Sequence, residues 1–466
     1  MNSFDFSTSI SKLLKDKSII IAGFGREGES TYKLIRKLFP EKNITICDKN
    51  ENNSNLIKVK NVDDKVHPIT GDDYLNSISD YDLIIKSPGI SFKHIDYSNF
   101  KEKITSQTDL FFRFFSNQII GITGTKGKST TSTLIHDIIK KKYNAHLVGN
   151  IGIPFFDNLE NVNSETLFVA ELSANQLQFI HNAPKYSVLL NIYPEHLDHF
   201  VDFDEYKSAK LNILHYQNAE DYCVLNYDEL LSNIEKIPSK NKLFVTESNI
   251  NKQNFASINN NLFVFSFNNQ LKHYNFKNIY NPNFVDHFKF SILCAISIAN
   301  ILNIEDDIIN EVINNFKGLE HRLEFVGEYE KKTFYNDSIS TIPQSTIKAI
   351  KTIKNAQTII IGGYDRGIDY KELLEFIPKS QLQNIILVPD VGKRIMKDLN
   401  NLKKQDQTII LINDFENAVI HAINITSQNK ACLLSPAAAS YNHFKNFEER
   451  GTKYKEIIKK YFCKKS

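Results

Sequence analysis

Short apolar runs, each closed by a glycine or a polar residue and followed by a longer stretch with apolar positions three and four apart, recur along most of the chain. Such runs predict parallel strands buried on both faces, alternating with covering helices. The first set opens with SIIIA (18–22), a glycine turn (23–28), a helix over 29–38 and the strand ITICD ending at Asp48; DLIIKSPGI (82–90) is a further strand entering a turn. A second set starts near 105 with QIIGI (118–122), a glycine turn and a helix over 131–141, then the strands TLFVAEL and YSVLLNI. Between 222 and 276, CVLNYD, KLFVTES and LFVFSF lie among Asn-rich turns and predict an antiparallel addition at the sheet edge. Helices over 288–302 and 308–316 lead to a linker at Lys317-Gly318, and a third series follows: TFYNDS, TIIIGGYD, NIILVPD, TIILIND and ACLLSP. The expected fold class is α/β in three domains: a Rossmann-like domain (1–104), a central P-loop domain with a mostly parallel sheet plus a small antiparallel one (105–318), and a Rossmann-like C-terminal domain (319–466).

Length and charge narrow the partners. At 466 residues the chain exceeds what one core usually organises. Its 56 Lys and Arg against 54 Asp and Glu leave +2, too balanced for the basic field a nucleic-acid binder relies on, so small molecules are expected. The five cysteines are scattered without C-x-x-C spacing, which fits a reducing compartment. The first residues hold no signal-peptide core, and no stretch reaches the roughly 18 apolar residues of a membrane span. A cytoplasmic, monomeric protein without a membrane partner is expected.

The candidate chemistry centres on GITGTKGKST (121–130). A strand, a glycine turn with Lys128 and a helix led by Ser129 and Thr130 would cradle a polyphosphate, offering backbone N–H groups, a mobile cation and a hydroxyl for Mg2+. Gly124, Thr125, Lys126 and Gly127 form the turn. Ile122 stands where the strict P-loop pattern has glycine, so a plain turn with a solvated Lys128 is the competing reading. Gly23-x-Gly25-x-x-Gly28 with Asp48 twenty residues on is a dinucleotide-type fingerprint; NAD and a purely structural turn both fit it. Glu171 in VAELS and His196 in NIYPEHLDHF stand at expected strand ends on the P-loop edge, where they would hold Mg2+, or less readily zinc; polar loop residues are the alternative for His196, Asp198 and His199.

These strings, with GNIG (149–152), ELSANQL, YKSAKL, GLEHRLEFV, YNDSIS and LLSPAAASYNHFKNFEERG, resemble in order the ATP-dependent Mur ligases over nearly the whole chain. The last string resembles the D-glutamate-adding branch. The resemblance implies an ATP-dependent ligase that joins UDP-N-acetylmuramoyl-L-alanine to D-glutamate through an acyl phosphate in peptidoglycan precursor synthesis. Lys128 would hold the β- and γ-phosphates, Ser129 or Thr130 one Mg2+, and Glu171 with His196 a second, with Lys210 of YKSAKL as a carbamylated metal ligand; an unmodified helix lysine is the alternative. Gly25, Arg26, Glu27 and Gly28 would surround the UDP pyrophosphate, with Asp48 near uridine and Ser87, Pro88 and Gly89 beside it, while Asn150 and Ser173 extend the site. Arg322 and Asp337 would contact the nucleotide. Thr341, Arg366, Ser440, Tyr441 and Phe447 would grip D-glutamate, Arg366 by pairing with a carboxylate.

One departure stands out. Where the family has H-N-x-x-N with an adenine-contacting Asn, this chain reads His287-Phe288-Lys289-Phe290-Ser291; the segment 277–281, with two Asn, or a stacking Phe288 would have to substitute. The competing functions are a sister Mur ligase or a folylpolyglutamate synthetase-like ligase, a non-catalytic nucleotide-binding protein, and an NAD-dependent oxidoreductase.

Overall fold

The structure, a computed structural model, describes residues 1–466 except 158, 160, 196–198, 230–233, 260–261, 277–281, 442 and 464–466, and the side chains at 3, 4, 234 and 282–287. Its first sheet takes the order β3-β2-β1-β4-β5, from β1 Ile19–Ala22, β2 Ile44–Asp48, β3 Val66–Thr70, β4 Leu83–Lys86 and β5 Ile104–Thr105. All its pairings are parallel. Every residue of β1 and β4 is buried, because helices cover both faces. The strand order reverses between β1 and β4, so the turns after these two strands open side by side on the carboxyl edge.

The second sheet contains β6 Ile119–Thr123, β7 Ala145–Gly149, β8 Leu167–Leu172, β9 Tyr186–Leu189, β10 Tyr222–Asn226, β11 Asn241–Val245, β12 Phe255–Asn259, β13 Leu262–Phe267 and β14 Gln270–Tyr274. Their order is β14-β13-β12-β11-β10-β9-β6-β8-β7. β6 lies between β8 and β9, so its carboxyl end faces Glu171 on one side and the chain leaving β9 on the other. The expected antiparallel addition is smaller than the Asn-rich turns suggest: β10 and β11 pair parallel, and only β12–β13 and β13–β14 are antiparallel. The reason lies in the connections. Long crossovers precede β10 and β11, whereas Asn268 and Asn269, with φ of +48° and +64°, make the tight turn a hairpin needs. β12 and β14 are additional strands that their weaker apolar runs did not announce.

The third sheet runs β15-β16-β20-β17-β18-β19, from β15 Glu324–Tyr329, β16 Lys332–Asn336, β17 Ala356–Gly362, β18 Asn384–Val388, β19 Thr408–Leu411 and β20 Ala431–Leu434. The edge strand β15, half-buried along its length and absent from the sequence expectation, pairs antiparallel with β16; the other neighbours are parallel. The chain divides into two compact units, residues 1–316 with the first two sheets and residues 317–466 with the third. Among the described residues, no helix is long and apolar enough to cross a membrane.

Candidate functional site

The first glycine turn is built by close packing. A Cβ on Gly28 would lie 2.1 Å from the Gly23 carbonyl oxygen, so only glycine lets the helix Arg26–Leu38 start directly against the strand end. That helix begins three residues earlier than its apolar period indicated, which brings Arg26, Glu27 and Gly28 into its first turn. Asp48 organises the turn: its Oδ2 accepts from Phe24 N at 2.8 Å and from Asn53 Nδ2 at 3.2 Å. Ser87 Oγ donates to Gly23 O at 2.7 Å and ties the β4 turn to it. The result is a cavity of about 390 Å³ lined by Gly25, Arg26, Glu27, Asp48, Ser87, Pro88, Gly89 and Asn150 among others. Arg26 reaches across it to Gly149 O at 3.3 Å.

The second turn follows β6. Gly127 caps the helix Lys128–Ile139 at φ +88°, a left-handed conformation that bends the chain back so that the helix N–H groups face the turn. This helix also starts three residues before its expected beginning at 131, which places Lys128, Ser129 and Thr130 in its first turn. Asn191, just past β9, holds the turn from the side: its Oδ1 accepts from Lys126 N at 2.7 Å and its Nδ2 donates to Lys126 O at 3.0 Å. Lys126 pairs with Glu195. Thr125 Oγ1 lies 3.0 Å from the Tyr206 hydroxyl and accepts from Tyr193 N at 2.9 Å.

Two lysines converge on one carbonyl of this turn. Lys128 Nζ donates to Gly124 O at 2.8 Å and to Thr125 O at 3.1 Å, and Lys210 Nζ donates to the same Gly124 O at 2.9 Å. Lys210, from the helix Phe203–His215, is 1% exposed and lies 4.9 Å from the centre of the Tyr206 ring. Burial first, and then the Lys128 charge, push its pKa down to about 7.

Glu171 on β8 joins the two turns. Its Oε1 accepts from Asn150 Nδ2 at 2.6 Å, and Asn150 N donates to Glu171 O at 2.9 Å. Its Oε2 is buried without a hydrogen-bond partner among the described residues, an arrangement that suits a cation ligand. Ser129 is half-buried and Thr130 buried, both in the first helical turn. Ser173 caps the short helix Ala174–Leu177 in a capping box with Gln176. His196 and Asp198 lie outside the described residues. Among those described, no cluster of three His, Cys, Asp or Glu side chains forms a metal cage.

In the second unit, Asp337 follows β16 and is 2% exposed; its Oδ1 accepts from Leu323 N at 3.1 Å and its Oδ2 from Ser435 Oγ at 2.7 Å. Burial pushes its carboxyl up to about 6. Arg322 is exposed, and its charge draws that pKa back down. Arg366 is exposed after β17, and its Nη2 donates to Thr341 O at 2.8 Å. Ser440 is buried, whereas Tyr441 is 67% exposed with its ring 6.3 Å from that of Tyr364. Phe447, half-buried, sets its ring edge-on to His321. Sequence reasoning missed Arg450, which is 2% exposed and donates to Ser338 O at 2.9 Å, Ala438 O at 3.0 Å and Ala439 O at 3.2 Å. It clamps the 338 and 438–439 turns together, and its place inside LLSPAAASYNHFKNFEERG was the available signal. Asn191, Gln176 and Lys86 were missed too, because each works through a partner distant in sequence. Phe288 is buried edge-on against Phe316, and Ser291 Oγ accepts from Thr131 Oγ1 at 3.0 Å; the 277–281 segment lies outside the described residues.

Comparison with known proteins places this geometry. The family model described as Mur ligase middle domain matches residues 122–289, and that described as Coenzyme F430 synthetase CfbE, C-terminal domain, matches 337–436. The chain is 33% identical to the UDP-N-acetylmuramoylalanine--D-glutamate ligase of Clostridioides difficile (strain 630), over 96% of this chain and 99% of that one. It is 31% identical to the ligase of the same name from Clostridium botulinum (strain Langeland), over 96% and 97%. Among solved structures, the MurF ligase of Thermotoga maritima in complex with ADP matches in fold at a TM-score of 0.55 and 15% identity, over 97% of each chain.

Proposed function

From the premise that the chain belongs to the UDP-N-acetylmuramoylalanine--D-glutamate ligases of the Mur ligase family, we infer that it joins D-glutamate to UDP-N-acetylmuramoyl-L-alanine with cleavage of ATP. The observation that carries this reading is the pairing of two glycine-turn cradles in one unit, linked through Asn150 and Glu171, with Lys128 and Lys210 meeting at Gly124 O. The cavity beside Arg26 and Ser87 takes the UDP portion. The turn at 124–130 takes ATP, and the alanine carboxylate lies between them.

The carboxylate attacks the γ-phosphorus, ADP leaves, and the acyl phosphate is then attacked by the D-glutamate amine; phosphate departs from the tetrahedral intermediate. Lys128 and the start of its helix offset the charge that keeps two anions apart. Mg2+, when bound, supplies further charge neutralisation, and the oxygen donors fit it: the unpartnered Glu171 Oε2 and the hydroxyls of Ser129 and Thr130, with His196 completing the set. An amine does not suit Mg2+, but a lysine titrating near 7 is partly neutral and able to add CO2, so Lys210 is read as a carbamate in the working enzyme. Asp337 and Arg322 contact the nucleotide from the second unit, where Arg366, Thr341, Ser440, Tyr441 and Phe447 receive D-glutamate. The enzyme is read as a cytoplasmic monomer.

The test is phosphate release from ATP with UDP-N-acetylmuramoyl-L-alanine and, in turn, D-glutamate, L-glutamate, D-alanine and L-lysine. Turnover confined to D-glutamate is expected. Turnover with a different amino acid would move the chain to a sister ligase, and silence with all of them, alongside tight NADH binding, would overturn the reading.

A further inference from the structure

The inner wall of the 390 Å³ cavity holds two charged groups that the mechanism above does not use. Lys86, the last residue of β4, is 3% exposed, and its Nζ has no hydrogen-bond partner among the described residues. It lies 5.5 Å from the ring centre of Phe92 and 5.6 Å from that of Phe179. Glu27 supplies the complement. Its Oε1 accepts from Gln176 Nε2 at 2.7 Å, while its Oε2 is buried and likewise without a partner.

An ammonium in an apolar wall is costly unless an opposite charge faces it. Lys86 is attracted by two carboxylates, Glu27 and Glu205. Both oxygens of Glu205, on the helix Phe203–His215, are engaged: Oε1 by Gln178 Nε2 at 2.9 Å and Oε2 by Val201 N at 2.7 Å. Glu27 therefore has the unengaged oxygen, and it also lines the cavity. A carboxylate at that position would repel any diphosphate lying against the first turn of its helix.

We propose that Lys86 is a positioning residue for the sugar-nucleotide cavity, neutralising Glu27 from the protein side so that the diphosphate of the substrate can lie against the helix start. The inference rests on the reading that this cavity takes UDP. Burial pushes the Glu27 carboxyl up to about 7 and the Lys86 ammonium down to about 7, while their mutual attraction opposes both shifts. Near neutral pH the pair therefore carries no net charge, whichever partner holds the proton. The other charged or titratable groups are Arg26 on the Glu27 helix, Glu205 across the wall, and Tyr97, which bonds toward Glu205.

Removing either partner alone unbalances the wall, in opposite senses. In Lys86→Met, Glu27 gains negative charge as pH rises and repels the diphosphate. In Glu27→Gln, Lys86 gains positive charge as pH falls and attracts it. The experiment measures affinity for UDP and for UDP-N-acetylmuramoyl-L-alanine by calorimetry on the full chain, from about pH 6 to pH 9, with the KM for ATP as internal control. The wild type should be nearly flat, Lys86→Met should weaken roughly tenfold as pH rises, and Glu27→Gln should tighten roughly tenfold as pH falls. The double variant should be flat again. Shifts of equal size at every pH would overturn the proposal and leave Lys86 a packing residue. Glu27→Gln carries the test by itself if Lys86→Met fails to fold. A wild type that binds neither UDP compound would instead overturn the cavity assignment.

Discussion

The turn after β1 and the turn after β6 share a plan, a buried parallel strand, glycines and a helix start, yet they present different groups. The helix Lys128–Ile139 has no acidic residue in its first turn, and Lys128 folds back over the turn carbonyls. The helix Arg26–Leu38 begins with Glu27 and Glu29. Carboxylates at a helix start satisfy the positive end of its own dipole, so the second turn leaves that field to an incoming phosphate while the first has partly spent it. The glycine pattern makes room for phosphate; the side chains around it decide how strongly phosphate is held.

The comparison breaks most visibly at Lys128. Lys128→Ala should lower the rate of phosphate release by roughly 10³ while leaving UDP affinity unchanged, because the loss falls on one cradle only; both quantities can be read on one preparation. Equal losses of ATP and UDP affinity would mean that the two turns act as one site.

Glycine substitutions sharpen it next. Gly28→Ala places a Cβ 2.1 Å from a backbone oxygen and should cost about 3 kcal/mol in a urea denaturation series. Gly127→Ala, strained at φ +88°, should cost roughly 1–2 kcal/mol. Gly25, whose added Cβ would meet nothing within 4 Å, should cost under about 1 kcal/mol. A cost at Gly25 equal to that at Gly28 would show that the first turn depends on backbone freedom rather than close packing.

The smallest effect concerns a link within the unit that carries both turns. His181 Nδ1 lies 3.0 Å from Asp109 Oδ2, and the hydrogen bond to Asp109 raises the imidazole pKa above its ordinary value. The unfolded histidine titrates near 6.5, so the stabilisation is complete below about that pH and is lost as pH rises through the higher folded value. With His181 partly exposed, about 0.5 kcal/mol is expected. The urea midpoint should fall slightly from about pH 6 to pH 8 in the wild type, and that slope should vanish in His181→Asn.

The chain by itself determined the three βα series, both glycine turns, and the residues that project from them, since strand burial and close backbone approach leave direct marks in residue type. It also carried the Lys128, Glu171 and Lys210 motifs, all of which the fold brings to the same edge of the second sheet. The parallel pairing of β10 and β11 was not legible, because strand direction depends on where the connection returns, not on the strand's own pattern. Nor was the engagement of Asn191, Gln176, Lys86 and Arg450. Each gains its role from a partner many residues away, and only packing in three dimensions leaves Lys86 and Glu27 buried in one wall, where low polarity couples their charges.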